Sequence, residues 1–402
     1  SPFNTILVTN GVYTGNMGGP YGATSVLVTN RHYVQSVNLH GAIIDGQNTR
    51  RCAVIARGST LDGFQLINGL ATAQSGLTYP NLAGGVALIQ GGSVLNCIVS
   101  NNTSPTKSII IGRLPGYAGG VVVNGDGLVS NCIIVRNIAY GIGDGVVCSN
   151  GGVIIDCVIT GNVATNNGAG AFLWYGGLIT NCFIAHNTAT NLGGGVICER
   201  GGTVAGCTIA GNRSTGYGLD GGGAVTYRGG TIRACVISNN SAYAAGGVYL
   251  MYNGIVEDCL ITNNYTLWDG GGVRFYYGGL CRRSQIIGNY TAGRGGGVFF
   301  SRTGVVQNCL IAYNSAPNEK GGGILFYSGN LSQLGYAESC TITANSSPLG
   351  GGVYFDERDS GIGGCITNCI IYGNTDFDVG NIHMARASFC CSATNLPGDG
   401  NL

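Results

Sequence analysis

The chain has 402 residues, a net charge of +1 and 9% charged residues, far below the quarter usual in a soluble domain. No basic or acidic field exists to draw nucleic acid or an anionic membrane, and no apolar run approaches the ~20 residues of a membrane-spanning helix. Glycine at 74 residues and cysteine at 17 dominate what remains, which suggests either a disulfide scaffold or a repeat.

The opening "SPFNTILVTN" shows no secretory leader, so either one has been removed or the chain is a trimmed piece of something longer. Residues 1–80 read as short apolar segments of irregular spacing. Two long insertions follow, 70–82 and 103–117, on what should be adjacent turns. They offer Tyr79, Pro80, Lys107, Arg113, Pro115 and Tyr117.

From residue 81 to 375 the chain repeats. Each unit holds a "GGV"-type apolar segment, a second segment led by glycine, then Cys-x-aliphatic, with Asn five positions after the Cys. Cys157, Cys182 and Cys207 are 25 residues apart. Cys132 and Asn137, Asn162, Asn187, Asn212, Asn264, Asn289 and Asn314 hold the same phases, and Ser284 stands where one cysteine is missing. Three short β-like segments per unit, each ended by Gly or Asn, exclude helix and describe one turn of a coil. Stacking the turns in parallel gives an all-β, single-domain right-handed parallel β-helix. With about 14 coils at ~4.8 Å each, the rod would be roughly 65 Å long. The domain spans 1–402: less regular coils over 1–80, regular repeats over 81–375, an irregular tail over 376–402.

The Asn column predicts an internal amide ladder at a sharp corner that tolerates the left-handed region. "NRS", "NYT" and "NSS" match the glycosylation sequon, but a ladder Asn packs inward. The Cys column faces the interior as a small hydrophobe. Its parallel Cβ vectors disfavour disulfides, which makes Cys52, Cys365, Cys390 and Cys391, off the ladder, the better pairing candidates. Four isolated histidines and scattered thiols give no metal-ligand spacing, and no cofactor is expected.

In the "GGV" segment the residue after the aliphatic should face outward. It reads Ala87, Val122, Val147, Phe172, Ile197, Val225, Tyr249, Arg274, Phe299, Leu325 and Tyr354. The outward phase of the cysteine segment, with Ile98, Ile133, Val158 and Phe183, is apolar too. Such a stripe would exceed what a free surface tolerates and predicts coverage by a partner, with Phe172, Ile197, Tyr249, Phe299, Leu325 and Tyr354 as its assembly residues; the plain alternative is that such side chains simply suit strands.

Catalytic groupings are weak. Asp220 and Asp269 both precede a "GGG" corner but lie two repeats apart, roughly 10 Å. The many glycine clusters mimic a dinucleotide fingerprint without a following helix. A second insertion pair, 327–337 and 356–363, offers Tyr327, Tyr336 and the acidic "DERD" stretch with Asp356, Glu357 and Asp359, read as a solvated, self-pairing loop. The two insertion pairs could meet across a subunit joint, form a glycan platform, or be ordinary variable loops.

"NTILVTNGVYTGN", "STLDGFQLINGLAT" and the "GGxVxNCxIxxNxA…GGGV" units resemble the secreted β-helix repeat proteins of the Verrucomicrobia–Lentisphaerae–Planctomycetes group, and more loosely the passengers of chlamydial polymorphic outer-membrane proteins. The resemblance implies the fold and an extracellular or cell-surface setting. Relatives usually carry a helical cap before the first strand and continue past "LPGDGNL"; bare strand edges here would favour end-to-end stacking. The expectation is a non-enzymatic structural rod that associates with itself, head to tail or laterally, into a surface fibre or layer with an adhesive role toward glycans or a host or neighbouring cell surface. Carbohydrate binding or degradation, or a passenger segment of an autotransporter-like adhesin, are the alternatives.

Overall fold

A computed structural model of the protein describes every residue except 1–3, 19–21, 72–82, 106–117, 142, 144, 218–219, 328–333, 357–362, 382 and 384. Among the described residues there are 52 strands and no α-helix. One turn shows how the sequence dictates this. Val146–Ser149, Val153–Ile155, Val158–Thr160 and the two-residue Val163–Ala164 are separated by single left-handed residues or glycine pairs. Asn150 (φ 59°), Asp156 (φ 54°) and Gly161 (φ 62°) turn the chain at these junctions. The next turn repeats the layout in parallel register, with Val146 opposite Ala171, Val153 opposite Leu178, Val158 opposite Phe183 and Val163 opposite Thr188. The fold is therefore a parallel β-solenoid. Besides the three expected strands, eight turns, from that of Thr103–Ser104 to that of Tyr290–Thr291, carry a short fourth strand that follows the ladder asparagine.

The chain forms two compact units, 1–208 and 209–402. Each contributes seven strands of the "GGV" type, about 14 turns in all. In unit 1–208 the glycine-led and cysteine strands alternate, with the middle residue buried (Ile154, Ile159, Ile179, Ile184) and its neighbours, buried Ala185 apart, half-exposed or exposed. In unit 209–402 the inner column of the "GGV" strands is aromatic. Phe275, Phe300, Phe326 and Phe355 stack at centroid distances of 4.6, 4.8 and 5.0 Å, with ring planes within 10° of parallel, so each ring buries its face on the next turn.

The asparagines form the expected ladder. The backbone N–H and the Nδ2 of Asn137 both donate to Asn162 Oδ1 at 3.0 Å, and Nδ2 also donates to the Val99 carbonyl at 3.0 Å. The same three bonds recur at Asn264, Asn289 and Asn314. These side chains are essentially inaccessible, which removes them as glycan acceptors in the folded chain. The corner itself departs from expectation. The left-handed residue is the one before each rung, such as Arg136 (φ 56°), His186 (φ 55°), Tyr313 (φ 58°) and Ala344 (φ 53°). The rung residue keeps an ordinary φ because its backbone N–H must point along the stack to the next amide.

The same stacking explains the glycines. A Cβ on Gly297 would lie 2.6 Å from the Gly323 carbonyl oxygen and 2.9 Å from Asn314 Nδ2. At this phase the next turn approaches too closely for any side chain.

The cysteine column is more polar than a row of small hydrophobes. The N–H of Cys132 donates to Cys157 Sγ, and that of Cys157 to Cys182 Sγ, each at 3.4 Å; each thiol in turn donates to the carbonyl two residues earlier, Cys157 to Ile155 O at 3.2 Å. All 17 cysteines are free. Cys390 corrects the sequence reading: Ile370 pairs with Cys391, which places Cys390 directly on the Cys369 rung, and its thiol donates to Ser388 O at 3.4 Å as the others do. Cys52, Cys365 and Cys391 are unpaired as well. Cys52 is buried and donates to Ile67 O at 3.1 Å, committed to the backbone instead.

At the C-terminal side of the last turn, Phe389 N–H donates to Asp399 O, Ser392 N–H to Leu402 O, and Leu402 N–H to Cys390 O. Residues 399–402 therefore occupy the strand edge that had been expected to be bare.

Candidate ligand-binding site

The outer face of the "GGV" strands overturns the expected apolar stripe. Phe172, Ile197, Tyr249, Phe299 and Leu325 are all buried, and Tyr354 is half-buried. The cause is the glycine run just before each strand, which folds back across this face. A Cβ on Gly295 (φ 68°) would sit 2.9 Å from Phe299 Cβ, so only a bare backbone fits there. The chain covers its own stripe, and no partner is needed to do so.

Where the covering changes character, in unit 209–402, a site opens. The residue before the glycine run is charged on three successive turns: Asp269, Arg294 and Lys320. Asp269 and Arg294 bridge in parallel register. In the neighbouring outer-face column, Arg274 replaces the apolar or aromatic residue of other turns. Trp268, Asp269, Arg274, Arg294, Phe299, Ser301, Glu319, Lys320, Tyr327 and Asp356 line a cavity of about 420 Å³.

The charges inside are ordered. Arg294 grips Asp269 with two bonds, Nε to Oδ1 at 3.0 Å and Nη2 to Oδ2 at 3.1 Å, a fork geometry suited to a carboxylate. Its guanidinium lies 4.3 Å from the Tyr327 ring centroid and 5.4 Å from that of Phe299, with Asp356 3.7 Å away. Lys320 Nζ donates to Asp356 Oδ1 at 3.2 Å and sits over Tyr354 at 5.1 Å. Burial raises the Asp269 carboxyl above the usual range despite Arg294, while burial of Arg294 is outweighed by Asp269, which holds that guanidinium charged. Two turns before Asp269, buried Asp220 takes the N–H groups of Tyr243 and Ala244 on its two oxygens at 2.9 Å each. Burial nevertheless pushes its carboxyl up to about 6.

An aromatic row leads into this cavity. Tyr217 is 92% exposed and meets Tyr243 edge-on at 5.5 Å; Tyr243 stacks on Trp268 at 5.7 Å and 16°; Trp268 is 51% exposed. From the turn of Tyr217 to that of Asp356 the chain stacks five steps, about 24 Å at the usual strand spacing. On another flank Tyr276 links Tyr249 to Tyr252, and Tyr252 stacks on Tyr277 at 5.1 Å and 6°. The result is an elongated surface of flat rings with alternating charges at one end.

The family described as "Right handed beta helix region" matches residues 119–289. Among solved structures the chain is similar to the Dettilon tailspike protein (gp208), at 15% identity and a TM-score of 0.35 over 83% of this chain; it spans 60% of that one. It is also similar to the A-module of the Azotobacter vinelandii mannuronan C-5 epimerase AlgE6, at 14% identity and a TM-score of 0.33, covering 100% of this chain and 90% of that one. No curated protein matches the sequence.

Of the residues singled out from this β-helix sequence, Asp356, Tyr327, Phe299, Tyr354 and Tyr249 come together around the cavity. Asp356 is not in a solvated, self-pairing loop. It is 8% exposed and pairs with Lys320 and Arg294 of other turns, because the strand Val353–Phe355 delivers it onto their column. Tyr336 lies in the strand Gly335–Glu338, opposite Cys365, and faces a separate groove with Gly304 and Leu334. Tyr79, Lys107, Arg113, Tyr117, Glu357 and Asp359 lie outside the described residues. Arg274, Arg294, Lys320 and Trp268 were missed. Their signal was present: Arg274 is the one charge in the outward "GGV" list, and Asp269, Arg294 and Lys320 share the position before "GGG". Reading one column at a time hid a site that two adjacent columns build.

Proposed function

We propose that this chain is an extracellular carbohydrate-binding β-helix protein that holds a glycan along the Tyr217–Tyr243–Trp268 row and in the adjoining charged cavity. One observation carries the reading: exposed Tyr217 and Trp268 flank half-buried Tyr243, edge-on and stacked respectively, and this row runs directly into a pocket of ordered charges. Flat amphipathic rings cover the apolar faces of sugar rings, and fixed polar groups at one end supply orientation. The buried carboxylates favour binding over turnover, since Asp269 is held by Arg294, Asp356 by Lys320 and Asp220 by two backbone N–H groups. The secreted setting that the sequence resemblance implies is part of this proposal. Screening the protein against immobilised glycans and then titrating hits by calorimetry tests it. Trp268→Ala and Tyr243→Ala should each weaken binding about 3- to 10-fold. Absence of any glycan binding by the intact chain would end it.

A second reading keeps self-association, moved to another face. In unit 1–208 the outward positions of the cysteine strands, Ile133 (41%), Val158 (37%) and Phe183 (43%), stack beside exposed Ile138 and Val163 of the short strands. Such a contiguous apolar patch favours contact with a second copy of the chain in a fibre or layer. Sedimentation velocity decides it: concentration-dependent assembly abolished by Val158→Glu supports the reading, and a monomer at all concentrations refutes it.

A further inference from the structure

Arg274 is the anomaly of the site. It occupies a column otherwise filled by Val225, Tyr249, Phe299, Leu325 and Tyr354, and it is 9% exposed. Its guanidinium lies between two rings, 5.3 Å from the centroid of Tyr249 and 5.5 Å from that of Phe299. Its hydrogen bonds both go to one neutral oxygen: Nε and Nη2 reach Ser301 Oγ at 3.3 Å each. Among the described residues no carboxylate comes within ion-pair distance of it. The other two cations of the cavity do have such partners, Arg294 with Asp269 and Lys320 with Asp356. The carboxylates whose fields reach Arg274, Asp220 and Asp269, are already engaged elsewhere.

A desolvated guanidinium is costly unless a counter-charge accompanies it. Ring faces and one hydroxyl compensate only in part. The unmet requirement is an oxyanion, and Arg274 lines the cavity in which one could sit. A second unmet group is close by: among the described residues the hydroxyl of Tyr249, whose ring Arg274 overlies, is buried without a hydrogen-bond partner. The planar fork of Arg suits a carboxylate or a sulfate ester, and among the described cations of the cavity Arg294 and Lys320 are paired with carboxylates while Arg274 is not.

We infer that Arg274 is an anion receptor, and that the glycan bound in this cavity carries an oxyanion substituent, a sugar carboxylate or sulfate ester, that pairs with its guanidinium. The inference rests on the carbohydrate-binding reading and goes further by naming the ligand's charge and the residue that reads it.

Calorimetric titration of the whole chain with three oligosaccharides of equal length, one neutral, one bearing uronic carboxylates and one bearing sulfate esters, tests it. The wild type should bind at least one acidic form about 10- to 100-fold more tightly than the neutral one, as a charge-assisted bond requires; which acidic form wins identifies the source of the oxyanion. Arg274→Gln should remove that preference while retaining neutral binding, and Arg274→Lys should retain part of it. Should Arg274→Gln fail to fold, Ser301→Ala, which frees the guanidinium from its hydroxyl, gives the second arm and should alter acidic but not neutral affinity. Equal affinity of the wild type for neutral and acidic forms overturns the inference and leaves the glycan reading intact, as does a preference that survives in Arg274→Gln. Binding of none of the three overturns both.

Discussion

Asn374 donates its backbone N–H and its Nδ2 to a single oxygen, Oδ1 of Asp378, at 3.0 and 2.9 Å. The earlier rungs of this unit, from Asn212 to Asn345, give the same pair of bonds to the next asparagine. Asp378 therefore stands where the next amide oxygen would be, and it is an acceptor only, as the end of such a series requires. Asp378→Ala should leave two donors without partners and cost about 2–4 kcal/mol. Asp378→Asn restores an acceptor oxygen and should recover most of the loss. Urea denaturation of unit 209–402 within the intact chain, followed by tryptophan fluorescence, reads this directly, since Trp268 lies in that unit. Equal losses for the two variants would show that the oxygen is not the cap.

Ser284 explains the cysteine column. Cys259 N–H donates to Ser284 Oγ at 3.1 Å, and that hydroxyl donates to Arg282 O at 2.9 Å, the pattern the thiols make elsewhere. The phase thus demands a small group that both accepts and donates. Cys157→Ser should cost under about 1 kcal/mol, whereas Cys157→Ala, which strands the Cys132 N–H, should cost about 1–3 kcal/mol. Calorimetric melting of both variants checks the ordering; an alanine no worse than serine would return the column to simple apolar packing. Burial pushes the off-ladder thiols Cys148 and Cys198 up to about 12, so neither should react with a thiol reagent before unfolding.

The left-handed residue before each rung is often glycine or asparagine, yet Ala344 sits there at φ 53°. An L side chain with a Cβ and no local hydrogen bond pays about 1 kcal/mol in that region. Ala344→Gly should raise stability by up to about 1 kcal/mol, read as a shift of the urea midpoint. A decrease would mean that the flexibility glycine adds to the unfolded chain outweighs the relief.

How much of this was legible follows from what repetition can and cannot encode. The solenoid, its parallel register and the inward Asn column were readable because each is repeated many times, so noise at any one turn averages out. The αL position was displaced by one residue because both Asn and Gly occur on either side of the corner, and composition alone cannot choose between them. The outward apolar list was read correctly as a list. Its burial was not legible, since it depends on the glycine run crossing back over the face, a contact between segments that each look like ordinary turn sequence. The site departs from repetition by definition. Arg274 appears once, and its meaning needs the neighbouring column of Asp269, Arg294 and Lys320, which only the stacking brings within reach.

Asp220 makes the site sensitive to pH in a defined direction. Its carboxyl is raised by burial to about 6 in the folded chain, against about 3.9 for an unperturbed aspartate. Between roughly pH 4 and 6 the folded state therefore holds the extra proton, and stability from this group is fully present below pH 4 and is lost as pH rises through 6. Glu257 and Asp258 work the other way, since hydrogen bonds from Arg282 and Arg283 respectively hold their carboxyls below the usual range. The diagnostic is thus the difference between wild type and Asp220→Asn, not the wild-type curve alone. The amide keeps one acceptor oxygen for the N–H groups of Tyr243 and Ala244 and loses the other, which is a constant offset. The lost titration is a slope confined to pH 4–6. Urea midpoints measured at pH 4, 5, 6 and 7 should show the variant gaining on the wild type across that interval and running parallel to it above. A difference that stays flat from pH 4 to 7 would mean that Asp220 is ionised throughout, with its two backbone N–H donors outweighing its burial.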